Sequence, residues 1–209
     1  GQEQERAHSQ DTPEHDPLLH HCCKLFPRSL NVIESALQLN LDDLRHPIPV
    51  ACHSTKQRTR VVIVRDAAPS IRSTQKETYS YPINIALKCD ASLDVVSVLA
   101  TMGPDVLVFR DGPDLAGSLG IALAVAAQKI HRAKADDEET ERIVRCLLTT
   151  NAASASIRDR QNNTPLHYAV RTPLVLVDLL KEIYHSYPEA LHVRNFHGQT
   201  PLDVAIRST

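Results

Sequence analysis

Apolar residues along this chain come in short stretches of helical period, separated by Pro, Gly, Asn and Asp, and the same pattern recurs. Six copies begin near positions 17, 47, 82, 118, 165 and 201; all have an aliphatic second residue, and five begin with proline. Their starts are 30, 35, 36, 47 and 36 residues apart. Because periods of roughly 20–50 residues are typical of solenoids built from stacked supersecondary units, the pattern predicts a repeat protein.

A second series of prolines has the same period. Pro69, Pro104 and Pro188 each lie 13 or 14 residues before the next copy, and an aliphatic stretch precedes each of them. Each unit is therefore predicted to hold a short first helix, a turn, and a second helix with an apolar stripe. We expect a tight hairpin or β-turn in the polar connector between units. Turn-forming pairs stand there at Asp111-Gly112, Asn162-Asn163 and His197-Gly198.

The first helix of a unit follows from its residue types. A proline at the first helical position costs nothing, because its missing N–H would have no partner there. Thr164 and Thr200, each directly before such a proline, are favourable N-caps. Alanine, the fifth residue of five copies, is small enough for a neighbouring helix to approach closely. One helix pair cannot bury its own apolar face, so we predict an all-α fold in which successive pairs stack.

The last two copies carry the most specific pattern. Thr164-Pro165-Leu166-His167-Tyr168-Ala169 and Thr200-Pro201-Leu202-Asp203-Val204-Ala205 both resemble the ankyrin repeat, whose unit of about 33 residues has the signature Thr-Pro-Leu-His-x-Ala. The resemblance implies an ankyrin-like solenoid of stacked helix-turn-helix repeats with short connector hairpins or β-turns. It assigns structural motif positions to Pro82, Ala86, Ala122, Thr164, Pro165, Leu166, His167, Ala169, Gly198, Thr200, Pro201, Leu202 and Ala205. It also implies that His167 hydrogen-bonds between neighbouring connectors.

The domain organisation follows from the repeat and from its departures. Residues 1–16 hold five acids and a single apolar residue, so we interpret them as a disordered lead-in. Residues 17–209 form the repeat array, with five full units and an incomplete sixth, and we expect the natural chain to continue. Unit four carries an insertion at 132–142 with five acids, interpreted as a longer hairpin. These acids could cap the following helix or form a contact point of that unit.

Composition and charge exclude several classes of protein. The 23 Lys and Arg against 25 Asp and Glu give a net charge of −2, which does not indicate a nucleic-acid coat protein or a polybasic membrane binder. No apolar run reaches the roughly 18 residues of a membrane-spanning helix. The five cysteines are an odd number in a chain that is not rich in cysteine. This usage favours a reducing compartment, so we expect an intracellular, cytoplasmic protein.

The repeat register points to a candidate partner-binding surface. The residue six positions after each motif start should point from the first helix toward the concave side, and these are Cys23, His53, Lys88, Ala124, Arg171 and Arg207. Three of them are permanently basic and none is acidic. We hypothesise a positive stripe that docks an acidic segment of a partner protein; ordinary solvated surface is the alternative. The candidate binding residues, including those on the connectors, are His53, Lys88, Arg171, Arg207, Arg158, Arg160, Phe196 and His197.

The motifs of other chemistries are absent or incomplete. His20-His21-Cys22-Cys23 resembles a set of metal ligands, but adjacent helical residues point about 100° apart and cannot close one tetrahedron. The basic stretch from Lys56 to Arg72 has no interleaved aromatic residues, so we expect no nucleic acid. There is no GxSxG, HExxH or Gly-rich phosphate loop. We expect no catalytic residues, metal, cofactor or small-molecule substrate.

The functional prediction is a protein–protein interaction scaffold, which is what the resemblance implies. The alternative is a regulatory or targeting arm of a larger enzyme whose catalytic domain lies outside this chain. A different helical solenoid, such as a HEAT-like array without connector hairpins, also remains open. The backbone at 111–117 and 195–199 discriminates the two kinds of solenoid.

Overall fold

A computed structural model describes residues 18–50, 78–111, 114–130, 137–172 and 177–208. The predicted lead-in at 1–16, the candidate His53, the basic stretch from Lys56 to Arg72 and residues 132–136 of the insertion lie outside the described residues. The fold is helical, with one short two-stranded sheet in its described part.

Nine helices and two strands follow one another in the described ranges. The helices are α1 (Leu18–Leu25), α2 (Leu30–Leu39), α3 (Pro82–Lys88), α4 (Leu93–Met102), α5 (Ser118–Ile130), α6 (Asp137–Thr150), α7 (Pro165–Ala169), α8 (Val177–Ser186) and α9 (Pro201–Ser208). The strands are β1 (Ile48–Val50) and β2 (Thr78–Ser80). Each second helix is followed by a 3-10 turn, at Leu41–Leu44, Pro104–Val108, Ala152–Ser156 and Pro188–His192.

The helices stack in two series. The first helices α1, α3, α5, α7 and α9 contact one another in that order, and the second helices α2, α4, α6 and α8 form a parallel series. Ala86, Ala122 and Ala169 are buried on α3, α5 and α7, where a small side chain lets the next helix approach. Ala205 lies partly buried on α9. The predicted alanine positions therefore fall on four helices that contact in series.

One apolar core runs between the two series. It includes Leu19 and Ile33 of the first helix pair and continues to Leu179 and Ile183 on α8. All four side chains are essentially without solvent exposure. A single pair has too little apolar surface for such a core, so each pair depends on its neighbours for burial.

The unit predicted to begin at position 47 does not start with a helix. Residues Ile48–Val50 form β1, which pairs antiparallel with β2 in the register Ile48↔Ser80, and α1 contacts α3 directly. The physical reason is the second proline of this copy, because a residue that precedes proline is driven from helical to extended backbone and Ile48 precedes Pro49. The rest of this predicted unit, from residue 51 to residue 77, lies outside the described residues, which hold four helix pairs and α9.

The acidic insertion also differs from its prediction as a hairpin. Helix α6 begins at Asp137, so the acidic residues from Asp137 to Glu141 lie in its first two turns. Carboxylates are favoured there by the partial positive charge of the helix N-terminus. Glu139 makes a contact with the neighbouring pair, since its Oε1 accepts a hydrogen bond from the amide of Leu93 at 3.3 Å.

Candidate partner-binding site

The connector at 159–163 is a tight turn that the Asp159 carboxylate organises. Its Oδ1 accepts hydrogen bonds from the amides of Gln161 at 2.8 Å and Asn163 at 2.7 Å. The amide of Asp159 donates to the carbonyl of Asn163 at 3.0 Å, which closes the turn. Asn162 has a φ of 63°, a left-handed conformation that asparagine tolerates better than most residues.

The connector at 195–199 repeats this geometry 36 residues later. The side-chain Oδ1 of Asn195 accepts from the amides of His197 and Gln199, both at 3.0 Å. The amide of Asn195 donates to the carbonyl of Gln199 at 2.9 Å. Gly198 has a φ of 72° at the position of Asn162, and glycine adopts this conformation at no steric cost.

The two connectors are hydrogen-bonded to each other. The amide of Phe196 donates to the carbonyl of Gln161 at 2.9 Å, and the Nδ2 of Asn195 donates to the Oδ1 of Asn163 at 3.0 Å. These bonds fix the distance between neighbouring connectors and thus the position of the side chains that they carry.

His167 links helix α7 to the connector at 195–199. Its Nδ1 accepts from the amide of Thr164 at 3.1 Å, so Nε2 carries the hydrogen and donates to the carbonyl of Gln199 at 3.1 Å. The side chain is only 2% exposed, and burial lowers its pKa, which keeps the ring neutral. The resemblance implies a bond from His167 between neighbouring connectors, and the observed bond joins α7 to the connector at 195–199.

Asp203 occupies the equivalent position on α9. Its Oδ2 accepts from the amide and from the hydroxyl of Thr200, both at 2.9 Å, and its own amide donates to that hydroxyl oxygen at 3.3 Å. The backbone bond from Thr200 is the main cause that lowers the pKa of Asp203, and Arg194 and Arg207 add to it. Thr200 and Asp203 therefore form a reciprocal cap at the start of α9.

A cleft of about 220 Å³ lies between α7 and α9, beside the two connectors. We call it the cationic cleft, and its lining residues are Gln161, Asn163, His167, Tyr168, Arg171, Asn195, His197, Gln199, Val204 and Arg207. Two guanidinium groups and two imidazoles line it, together with four carboxamides, and no carboxylate does. The arrangement is suited to an anion.

The structure brings three of the predicted binding residues together. Arg171, Arg207 and His197 are exposed and line the cationic cleft, although the first two are 36 positions apart in sequence. Phe196 is 77% exposed at the neighbouring connector tip and is not among the lining residues.

The other predicted binding residues lie elsewhere. The Nη2 of Arg158 donates to the hydroxyl of Tyr187 at 3.3 Å, and the side chain of Arg160 is exposed on the connector. The Nζ of Lys88 lies 3.7 Å from the Oδ1 of buried Asp111. The predicted stripe is therefore not continuous, because the charge of Lys88 already faces an internal carboxylate.

Asp111 is an organising residue that sequence reasoning missed. Its Oδ2 accepts from the hydroxyl of Ser80 at 3.0 Å, the amide of Tyr81 at 3.0 Å and the Nδ2 of Asn84 at 2.6 Å. Asn84 stands third in its motif copy, as His167 does in its own. A signal was present in that third position, which is polar in three copies, but Asp111 itself was interpreted only as a turn residue.

Sequence reasoning also missed the uncharged polar side chains of Gln161, Asn163 and Tyr168, which line the cleft. The hydroxyl of Tyr168 donates to the Oδ2 of Asp159 at 2.5 Å, and burial together with this carboxylate raises the pKa of Tyr168. Gln161 and Asn163 belong to the connector whose turn was predicted, but the turn signal does not show which way their side chains point.

Two absences hold for the described part of the chain. The described residues contain no group of three or more His, Cys, Asp or Glu side chains placed to hold a metal ion. Of the helices in the described ranges, none combines the length and hydrophobicity that a membrane-spanning segment needs.

Comparison with protein-family models and with curated proteins finds no match. Among solved structures, a chain in the complex of the Bd0816 predatory endopeptidase from Bdellovibrio bacteriovorus with the immunity protein Bd3460 is similar to this chain. The two are 16% identical, the alignment covers 92% of each chain, and the TM-score is 0.33.

Proposed function

We propose that this chain is an ankyrin-like protein-binding scaffold that holds an acidic segment of a partner protein at the cationic cleft. The observation that carries the proposal is the convergence of Arg171, Arg207 and His197 on one cleft that no carboxylate lines. Charge complementarity of this kind accelerates association and selects partners by the sign of their charge.

The connectors support the ankyrin-like part of the proposal. Tight turns closed by hydrogen bonds occur at 159–163 and 195–199, and a HEAT-like array of longer helices would lack them. His167 joins α7 to the next connector in the way that the family signature implies. Neighbouring connectors bonded to one another form a rigid platform, which reduces the entropy lost when a partner binds.

The distribution of positive charge restricts the proposed partner-binding surface to one end of the first-helix series. Lys88 lies near Asp111, so the part of the first-helix series at α3 has little free positive charge. The guanidinium groups of Arg171 and Arg207 make no hydrogen bond or ion pair with other described residues, and we therefore place the contact with the acidic segment at the α7–α9 end.

The proposal is tested by charge reversal in the cleft. The variant R171E/R207E is titrated with a fluorescent Glu-rich peptide, alongside the wild type. We expect at least about a tenfold loss of affinity, equivalent to about 1.4 kcal/mol. We also expect a weaker dependence of binding on salt concentration, because fewer charge pairs are screened.

The matched control is R142E/K181E, which changes the net charge equally. Both control side chains are exposed, on α6 and α8 of the second-helix series. We expect the control to retain most of the peptide affinity. An equal loss in both variants would indicate attraction by net charge alone, and an unchanged affinity in R171E/R207E would remove the cleft as the binding site.

A further inference from the structure

The cationic cleft is a small depression that is open to solvent. Its volume of about 220 Å³ suits one compact anionic group and the short chain that carries it. We place the rest of a bound segment outside the cleft, across the connector tips.

The two guanidinium groups of the cleft are available to that group. Some other arginines are already paired: Arg45 lies 3.2 Å from Asp105, and the Nε of Arg145 lies 3.1 Å from Glu182. The guanidinium groups of Arg171 and Arg207, by contrast, have no hydrogen bond or ion pair within the described part of the chain, although Arg207 is near enough to Asp203 to lower the pKa of that carboxyl. A guanidinium presents a planar fork of N–H donors that fits two oxygens of a phosphate or carboxylate at once.

The positive charges that line the cleft match a ligand with two negative charges. Arg171 and Arg207 contribute two permanent positive charges, and the exposed ring of His197 adds a further N–H donor. The nearest acid on α9 is Asp203, which stands one turn before Arg207, is bound by Thr200 and lies 3.8 Å from Arg194. A carboxylate carries one negative charge, whereas a phosphate monoester carries about 1.5 to 2 at pH 7.

We propose that the cationic cleft binds a phosphate monoester between the guanidinium groups of Arg171 and Arg207, which in the bound segment is a phosphorylated serine or threonine. The inference rests on the proposed function and names the chemistry that the cleft prefers. The carboxamide of Gln161, which also lines the cleft, supplies a further donor. Because hydrogen bonds hold the connectors in place, the phosphate meets donors that are already positioned.

The test compares three peptides of one sequence, in which a central residue is serine, glutamate or phosphoserine. Binding to the wild-type protein is measured by calorimetry at pH 7. We expect the phosphoserine peptide to bind at least about tenfold more tightly than the glutamate peptide, because a second charge and a third oxygen are available to the two forks. Inorganic phosphate is expected to compete with it.

A conservative variant separates the effect of the planar guanidinium donors from the effect of positive charge. R171K/R207K keeps both positive charges but removes the planar donors, and both side chains are exposed, so folding is retained. We expect the preference for phosphoserine over glutamate to fall to about threefold or less, with a smaller change for the glutamate peptide. The pair R142K/K181R, in the second-helix series, should leave the preference unchanged.

The outcomes distinguish the two proposals. Equal affinity for the phosphoserine and glutamate peptides, with both lost in R171E/R207E, overturns the phosphate inference and leaves the scaffold proposal intact. Peptide binding that R171E/R207E does not change overturns both. Failure of inorganic phosphate to compete also overturns the phosphate inference. If free O-phosphoserine binds as tightly as the phosphopeptide, the phosphate chemistry stands and its source is a small ester.

Discussion

The buried imidazole of His20 makes the stability of this fold depend on pH. His20 lies on α1 and is only 2% exposed, and neither ring nitrogen has a hydrogen-bond partner among the described residues. Burial lowers its pKa to about 4 from an ordinary value of 6.5, although Asp43 and the backbone of His46 and Ser80 oppose the shift. The folded protein therefore holds this ring neutral at pH values at which the unfolded chain protonates it.

The difference in the pKa of His20 between the folded and unfolded states sets the sign and the size of the pH effect on stability. The stabilisation is fully present above pH 6.5, and it is lost as the pH falls from 6.5 toward 4, because only the unfolded state takes up the proton there. A shift of one pKa unit corresponds to about 1.36 kcal/mol. The loss attributable to His20 by pH 4 is therefore at most about 3 kcal/mol, a substantial part of the stability of an ordinary domain.

The assay is urea unfolding of the wild type and of His20→Leu between pH 7.5 and 4. We expect the free energy of unfolding of the wild type to fall relative to that of His20→Leu by about 3 kcal/mol between pH 7.5 and 4, since the variant lacks the titrating group. Ile33→Val, a neighbouring core substitution that costs about 1 kcal/mol, should instead stay parallel to the wild type. A difference between wild type and His20→Leu that is constant to about 0.5 kcal/mol across this pH range refutes the reasoning.

Five further substitutions test the packing and the connectors by the same unfolding assay. Leu123 is fully buried on α5, so Leu123→Ala should lower the free energy of unfolding by about 2–5 kcal/mol. Leu202 is 63% exposed, so Leu202→Ala should lower it by less than about 0.5 kcal/mol. Equal losses in the two variants would contradict the described core. Gly198→Ala should lower the free energy of unfolding by about 1 kcal/mol because Gly198 has a positive φ; a Cβ added there would meet only open space. Gly103 has a negative φ, so Gly103→Ala should cost less. Asp111→Ala leaves three buried donors unpaired and should cost about 3 kcal/mol or more; a loss below about 1 kcal/mol contradicts its organising role.

Local chemistry explains why much of the fold was predictable. Pro165 and Pro201 begin α7 and α9 because proline suits the first helical position, and Thr164 and Thr200 precede them as expected. The repeat period placed Arg171, two residues after the end of α7, and Arg207, on α9, at equivalent positions of their units. Stacking in register then brings equivalent positions together, so these two cleft residues could be inferred from the sequence alone.

The predictions that the structure does not follow concern contacts between segments that are distant in sequence. The copy at 47 has the same apolar spacing as the others, but Ile48 precedes a proline and pairs with Ser80, 32 residues away. Lys88 occupies the predicted register, and its neighbour Asp111 comes from a connector 23 residues later. Such pairings depend on the three-dimensional arrangement of the units, and no periodicity in a single sequence reports them.

The cationic cleft also couples ligand binding to the docking of α9. One wall belongs to α7 and the other to α9, so a ligand that contacts both Arg171 and Arg207 binds only while α9 is in place. Within the described part of the chain, α9 buries less apolar surface than the inner helices, since Leu202 and Ile206 are 63% and 69% exposed. A ligand at about 100 times its Kd stabilises the docked form by about 2.7 kcal/mol.

Hydrogen exchange tests this coupling. With saturating phosphoserine or glutamate peptide, whichever binds more tightly, the amides of α9 should exchange about 100-fold more slowly, while those of α4, far from the cleft in the stack, should change little. Equal exchange of α9 with and without the peptide would mean that the ligand does not use both walls. In that case Arg207 is dispensable for binding, and R207E alone should retain the affinity that R171E loses. Protection confined to α9 and the connector at 195–199 instead makes the last described helix part of the binding site, as the shared lining of the cleft requires.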